Sequence, residues 1–191
     1  IISLHPLTPL PISLPTTPVP SQLLGAHNQL NIQPSIIIGD LLKNPKHKVL
    51  SAIASFKPLE TRLELVDEKK GIKFYADTLA TIPEASIAAI DTLNPHTLIA
   101  GGHDRRQDYS QLAQKIVSSG IKTLILFPAT GEIIKRSLLS LLKGDSLKES
   151  PKIFPASSMP EAVKLAFEHT PKNSICLLSP AAPSFTLFRD Y

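Results

Sequence analysis

Four short segments concentrate the residues able to do polar chemistry, and three of them stand at the end of an apolar run. "YADTLATIPEAS", residues 75–86, sets Asp77, Thr81 and Glu84 between a strand-like and a helix-like pattern. Thr81 followed three residues on by Glu84 has the spacing of a capping box, and Pro83 is accepted in the first turn because its missing N–H has no intrahelical partner there. That reading leaves Asp77 unused. "GGHDRRQD", residues 101–108, follows the apolar "TLIA". Paired glycines let a backbone approach a ligand closely, and Arg105 or Arg106 can grip a carboxylate through two parallel hydrogen bonds. "LLSPAAPSF", residues 177–185, places Ser184 near an expected helix start, where unpaired N–H groups favour anions. "GAHNQLN", residues 25–31, puts His27 and Asn31 on one helical face with Asn28 beside them. No carboxylate or cysteine stands at a ligating distance along the chain, so a hydrogen-bonded asparagine pair is expected rather than a metal site. Taken singly, each segment is as well served by a structural role: a cap, a tight turn or a solvated charge cluster.

The elements that must carry these segments follow from hydrophobic period. "GAHNQLNIQPSIIIGDLL", interrupted by Pro34, and "KHKVLSAIASF" read as helices. From Arg62 onward the pattern alternates. "RLELV" and "IKFYA" are short strands around the turn "DEKKG"; then come helix 83–93, strand "TLIAGG", helix "DYSQLAQKIVSSG", strand "KTLILF", helix "GEIIKRSLLSLL", strand "KIFPA", helix "PEAVKLAFEHT" and strand "SICLLS". Ser158 and Glu161 repeat the capping-box spacing. Such a succession predicts an α/β fold, a mainly parallel sheet with flanking helices, in which ligands gather beyond the carboxyl ends of the strands. Asp77 to Thr81, Gly101 to Arg106 and Ser179 to Ser184 all follow strands. The first twenty residues hold too many prolines for a helix and are expected to be edge strands or loop.

Composition narrows the function classes. A chain 42% hydrophobic and 19% charged, with no apolar run near the ~18 residues of a membrane span and no secretory leader pattern, is expected to be a cytoplasmic globular protein without a membrane partner. The net charge of +4 is spread along the chain and tryptophan is absent, which argues against a nucleic-acid surface and leaves a weak preference for phosphates or carboxylates. The one cysteine, Cys176, lies in "SICLLS" and is expected in the core. The only methionine is Met159, so the sequence is expected to be an excerpt of a longer protein.

Order and spacing say more than any one segment. "GAHNQLN", "RLELV", "FYADTLATIPEASIAAI", "LIAGGHDRRQDYSQLA" and "LLSPAAPSFTLFRDY" together resemble the motif series of the MurD branch of the Mur ligases, from about residue 20 to the end. The resemblance implies residues 1–54 as the end of a central ATPase domain, and 55–191 as a Rossmann-like C-terminal glutamate-binding domain short of its final helices. It implies ATP-dependent ligation of glutamate to UDP-N-acetylmuramoyl-L-alanine in peptidoglycan synthesis. In that reaction the alanine carboxylate is phosphorylated and the glutamate amine attacks the acyl phosphate. Asn28, Asn31, Arg62 and Asp77 would meet ATP; Thr81, Arg105, Ser184 and the backbone near Tyr191 would hold glutamate. Magnesium ligands and the phosphate loop belong to the family's upstream part. No G-x-x-x-x-G-K-[ST] occurs here, so no catalytic residue is assigned within these residues and they are not expected to turn over alone. A monomer is expected. Leu79 stands where the best-known members have Lys, Arg105 also replaces a Lys, and Thr186 replaces an Asp. These departures leave the glutamate enantiomer open. They also keep an alternative in play, a non-catalytic α/β ligand-binding module derived from a Mur ligase.

Overall fold

The computed structural model describes residues 18–142 and 150–185. The chain divides into two compact units, Ile1–Lys57 and Pro58–Tyr191. The proline-rich residues 1–17 lie outside the described residues. In the first unit α1 (Ala26–Leu41) runs on through Pro34, and α2 (Lys46–Ser55) follows a short turn. Ile32 and Ile36 of α1 bury with Val19, and Leu50 and Ile53 of α2 pack against them. The Gln29 amide pins the entering chain, accepting from Val19 N–H at 2.8 Å and donating to its carbonyl at 3.1 Å.

The second unit begins with an antiparallel hairpin of β1 (Glu64–Lys69) and β2 (Ile72–Ala76). Its turn is tighter than "DEKKG" suggests. Asp67, Glu68 and Lys69 pair with Phe74, Lys73 and Ile72, so only Lys70 and Gly71 remain to reverse the chain. Both take left-handed φ, 56° and 77°, the two-residue turn whose twist matches that of its strands. Arg62 falls before the strand, because Thr61 and Leu63 on either side have φ of 56° and 50° and interrupt extended pairing.

Then α3 (Pro83–Leu93), β3 (Thr97–Gly102), α4 (Ser110–Ser118), β4 (Thr123–Ala129), α5 (Thr130–Leu141), β5 (Lys152–Pro155), α6 (Met159–His169) and β6 (Ser174–Leu178) alternate, as the period of the sequence predicts. The six-stranded sheet has the order β1-β2-β6-β3-β4-β5 and is parallel from β2 to β5. Side chains of the inner strands alternate between two cores. Leu98, Ala100, Leu124 and Leu126 bury with Ile90 of α3, Leu112 and Ile116 of α4 and Ile134 of α5. Ile99, Ile125 and Phe127 point the other way, toward Ala162 and Ala166 of α6. Each fully buried Leu or Ile is worth roughly 1.5–3 kcal/mol, so these two cores supply the main stabilisation of the sheet. Cys176 belongs to the second core; burial pushes its thiol up to about 12, which makes it an inert packing residue as expected.

The two capping-box patterns part company. Ser158 caps α6, its Oγ accepting from Glu161 N–H at 3.4 Å, and Glu161 reaches back to Ser157 N–H at 2.8 Å. Thr81 does not cap α3. The N-cap is Ile82, extended at φ −133° and ψ 152°, with no side-chain cap. Both patterns carry Pro at the same place, Thr-Ile-Pro-Glu and Ser-Met-Pro-Glu. A residue before proline is pushed from helical toward extended backbone, and β-branched Ile82 has less rotamer freedom in a helix than unbranched Met159.

Candidate functional site

The carboxyl edge of the sheet is built from chain segments that hold one another by backbone. Asp77 N–H, just past β2, donates to Leu178 O of β6 at 2.8 Å, and Ser179 N–H donates to Ile99 O of β3 at 3.1 Å. Beyond β6 the segment 180–185 lies along the end of β3: Gly101 N–H donates to Pro180 O and His103 N–H to Pro183 O, each at 2.8 Å. Tyr109 anchors the same segment from below, its hydroxyl donating to Ala181 O at 3.2 Å. The paired glycines serve this contact. A Cβ on Gly101 would stand 2.5 Å from Phe127 O and one on Gly102 2.4 Å from Pro183 O, at φ of 109° and 147°. The close approach read from "GG" is therefore an approach to the protein's own backbone.

Beneath the edge lies a buried polar cluster. The Ser179 hydroxyl donates to Asp77 Oδ2 at 3.1 Å and lies 2.8 Å from Ser86 Oγ, while Ser86 donates to Ser179 O at 3.2 Å. Ser86 and Ser179 are inaccessible and Asp77 is 6% exposed. Polar groups so buried persist only when satisfied. Their bonds join the turn 77–81, helix α3 and the segment after β6.

Above this cluster opens a pocket of about 650 Å³ in which Thr81, Arg105 and Ser184 meet. Each comes from a different strand end, β2, β3 and β6. Asp104 Oδ1 accepts from Arg106 N–H at 2.6 Å, and this side-chain turn sets Arg105 at an exposed tip while Arg106, at φ 58°, turns away from the lining. Glu60, Thr61 and Thr78 add polar atoms; Phe127, Met159 and Leu178 make the apolar wall. Leu79, 47% exposed, stands in the lining too. The sequence reading missed Phe127 and Met159, since nothing in their local pattern separates them from core residues.

The other expected residues are dispersed. Asp77 is buried and does not belong to the pocket lining. Arg62 is exposed, next to the lining residues Glu60 and Thr61. In the first unit Asn31 Nδ2 donates to Asn28 Oδ1 at 3.1 Å and Asn28 Nδ2 to Leu24 O at 2.7 Å, the asparagine pair expected from spacing. Tyr191 and Thr186 lie outside the described residues. Among the described residues no group of three His, Cys, Asp or Glu side chains could hold a metal ion, and no helix is long and apolar enough to cross a membrane.

A mostly parallel sheet with helices on both faces and a pocket at its carboxyl edge defines an α/β domain of doubly wound type. The model for "Mur ligase, glutamate ligase domain" matches residues 61–182, and the chain belongs to that family. It is 34% identical over 171 residues to a UDP-N-acetylmuramoylalanine--D-glutamate ligase of Lachnoclostridium phytofermentans, a match covering 89% of this chain and 36% of the relative. A protein of the same name from Cytophaga hutchinsonii is 31% identical over 191 residues, covering 100% of the chain and 40% of the relative. The chain thus spans well under half the length of these curated relatives. Among solved structures, the UDP-N-acetylmuramate-alanine ligase of Thermotoga maritima superposes with a TM-score of 0.64 at 19% identity, covering 84% of this chain and 36% of that one. A Mycobacterium tuberculosis folylpolyglutamate synthase complexed with ADP gives 0.61 at 11% identity, covering 86% and 40%. At such identities these two speak for the fold.

Proposed function

We propose that this chain is part of an ATP-dependent ligase that joins glutamate to UDP-N-acetylmuramoyl-L-alanine in peptidoglycan precursor synthesis, and that its second unit is the seat of glutamate. The convergence of Thr81, Arg105 and Ser184 from separate strand ends into one pocket carries this reading. A dicarboxylate needs two anchoring points. Arg105 offers one through charge-assisted, paired hydrogen bonds; Ser184 offers the other, helped by Thr81 and by backbone near Tyr191. The apolar wall takes the methylene stem. Relatives named for D-glutamate favour that enantiomer as the substrate.

When bound, ATP supplies the activation of the alanine carboxylate. Arg62, exposed and next in sequence to the lining residue Thr61, fits a phosphate; Asp77, buried and bonded to Ser179, serves the ribose region by positioning the turn 77–81. Asn28 and Asn31 are assigned to the adenine side, with Asn28 fixing the Asn31 amide. The described residues do not fit magnesium, for want of clustered carboxylates. The protein is proposed to act as a cytoplasmic monomer.

The test is ADP release by the full-length protein supplied with ATP, UDP-N-acetylmuramoyl-L-alanine and either glutamate enantiomer. Release that depends on D-glutamate is expected. If neither enantiomer raises it above background, the ligase reading fails and the binding-module alternative, motivated by Leu79 and Thr186, takes its place.

A further inference from the structure

Resting on the ligase reading, we propose that Met159 is the stop that limits the length of the amino-acid substrate this pocket accepts. Arg105 follows β3 and Ser184 follows β6, neighbours in the sheet. The segments bearing the anchors cannot drift apart freely, because His103 N–H to Pro183 O, at 2.8 Å, ties them two residues from Arg105 and one from Ser184.

A longer dicarboxylate would have to push its Arg105 end toward β4, the next strand in the sheet. Two apolar side chains line the pocket there, Phe127 near the end of β4 and Met159 at the first position of α6. Phe127 is 2% exposed and packed in the α6-side core, so it cannot yield without opening that core. Met159 is half-buried and packs against the same core, with unbranched, rotatable bonds. It is the adjustable part of the wall. Neither residue offers a hydrogen bond to a carboxylate, so a substrate forced against them gains no polar partner for the group it desolvates.

The experiment compares D-glutamate with D-2-aminoadipate, one methylene longer, in the full-length protein and in its Met159→Ala and Met159→Leu variants. In the unaltered protein glutamate should be preferred. Met159→Ala should reduce the ratio of kcat/KM values for the two by about tenfold or more, the scale on which an apolar pocket discriminates one methylene. The gain should lie in a lower KM for aminoadipate. Met159→Leu, which conserves volume, should restore the original ratio. Undiminished discrimination in Met159→Ala, whatever its absolute rate with glutamate, overturns the stop and leaves the ligase reading standing. Absence of glutamate turnover in the unaltered protein overturns both.

Discussion

Helices α3 and α6 begin from nearly the same words, Thr-Ile-Pro-Glu and Ser-Met-Pro-Glu, and use them for different ends. At α6 the pattern closes as a cap: Ser158 takes Glu161 N–H, and Glu161 takes the N–H and hydroxyl of Ser157 at 2.8 and 2.7 Å. At α3 the helix starts one residue later, and Thr81 lines the pocket instead. The turn before α3 is held from elsewhere. Ala80 N–H bonds Asp77 O at 3.0 Å, Thr81 N–H bonds Leu79 O at 2.9 Å, and Asp77 is tied to β6. The lesson is that tertiary contacts at the carboxyl edge hold the turn before α3 without a Thr81 cap and leave Thr81 in the pocket lining, while the start of α6 depends on its own side chains Ser157, Ser158 and Glu161.

That contrast predicts that edge residues will alter binding without altering stability, and cap residues the reverse. The largest effect is expected from Arg105→Ala. Losing a charge-assisted hydrogen bond, about 1.5–3 kcal/mol, should raise the glutamate KM roughly tenfold to a hundredfold while thermal unfolding stays put. Steady-state kinetics beside a melting curve would check it, and an unchanged KM would reduce "GGHDRR" to a charged turn. Next, Ser158→Ala should cost about 1 kcal/mol of stability, the usual value of a lost N-cap, with glutamate KM unmoved. Denaturant titration reads that difference.

Thr81→Ala should do the opposite on a smaller scale. A neutral hydrogen bond of about 0.5–1.5 kcal/mol corresponds to a two- to tenfold rise in glutamate KM, with no loss of stability. A destabilised Thr81→Ala with normal KM would return Thr81 to the capping role. The smallest effect concerns acid. Hydrogen bonds from Ser157 hold the Glu161 carboxyl below its ordinary 4.5. A depressed native pKa contributes stability that is present above the unfolded value and is lost as pH falls through the native one. Glu161→Gln should therefore flatten the acid limb of a stability–pH curve below about pH 4.5, by slightly lowering stability near neutrality rather than by raising it in acid.

How far the sequence could be read depends on what kind of information each feature holds. Period and punctuation are local, so "TLIAGG", "KTLILF" and "SICLLS" were legible as strands, whereas the break expected at Pro34 does not divide α1, which runs on through it. The asparagine pair of α1 was legible because helical spacing alone brings Asn28 and Asn31 together. The "DEKKG" turn was read too long, since strand pairing recruits Asp67 to Lys69 against the hydrophilic look of those residues. Gly101 and Gly102 were recognised as a place of close approach, but what approaches is Phe127 and Pro183, far away in sequence.

By itself the sequence determined the alternation of elements, the apolar runs of the inner strands, and the motif series that marks the family. These rest on interactions within a few residues, or on residue types that only certain backbone conformations tolerate. Tertiary structure alone decided that β6 enters between β2 and β3, for strand order follows from pairing energies between segments about a hundred residues apart, which no local pattern encodes. That insertion brings Ser184 beside Arg105, puts Ser179 under Asp77, and frees Thr81 from its cap. It also leaves Phe127 and Met159 to close the pocket at the β4 end, a role that exists only once the strands are in order.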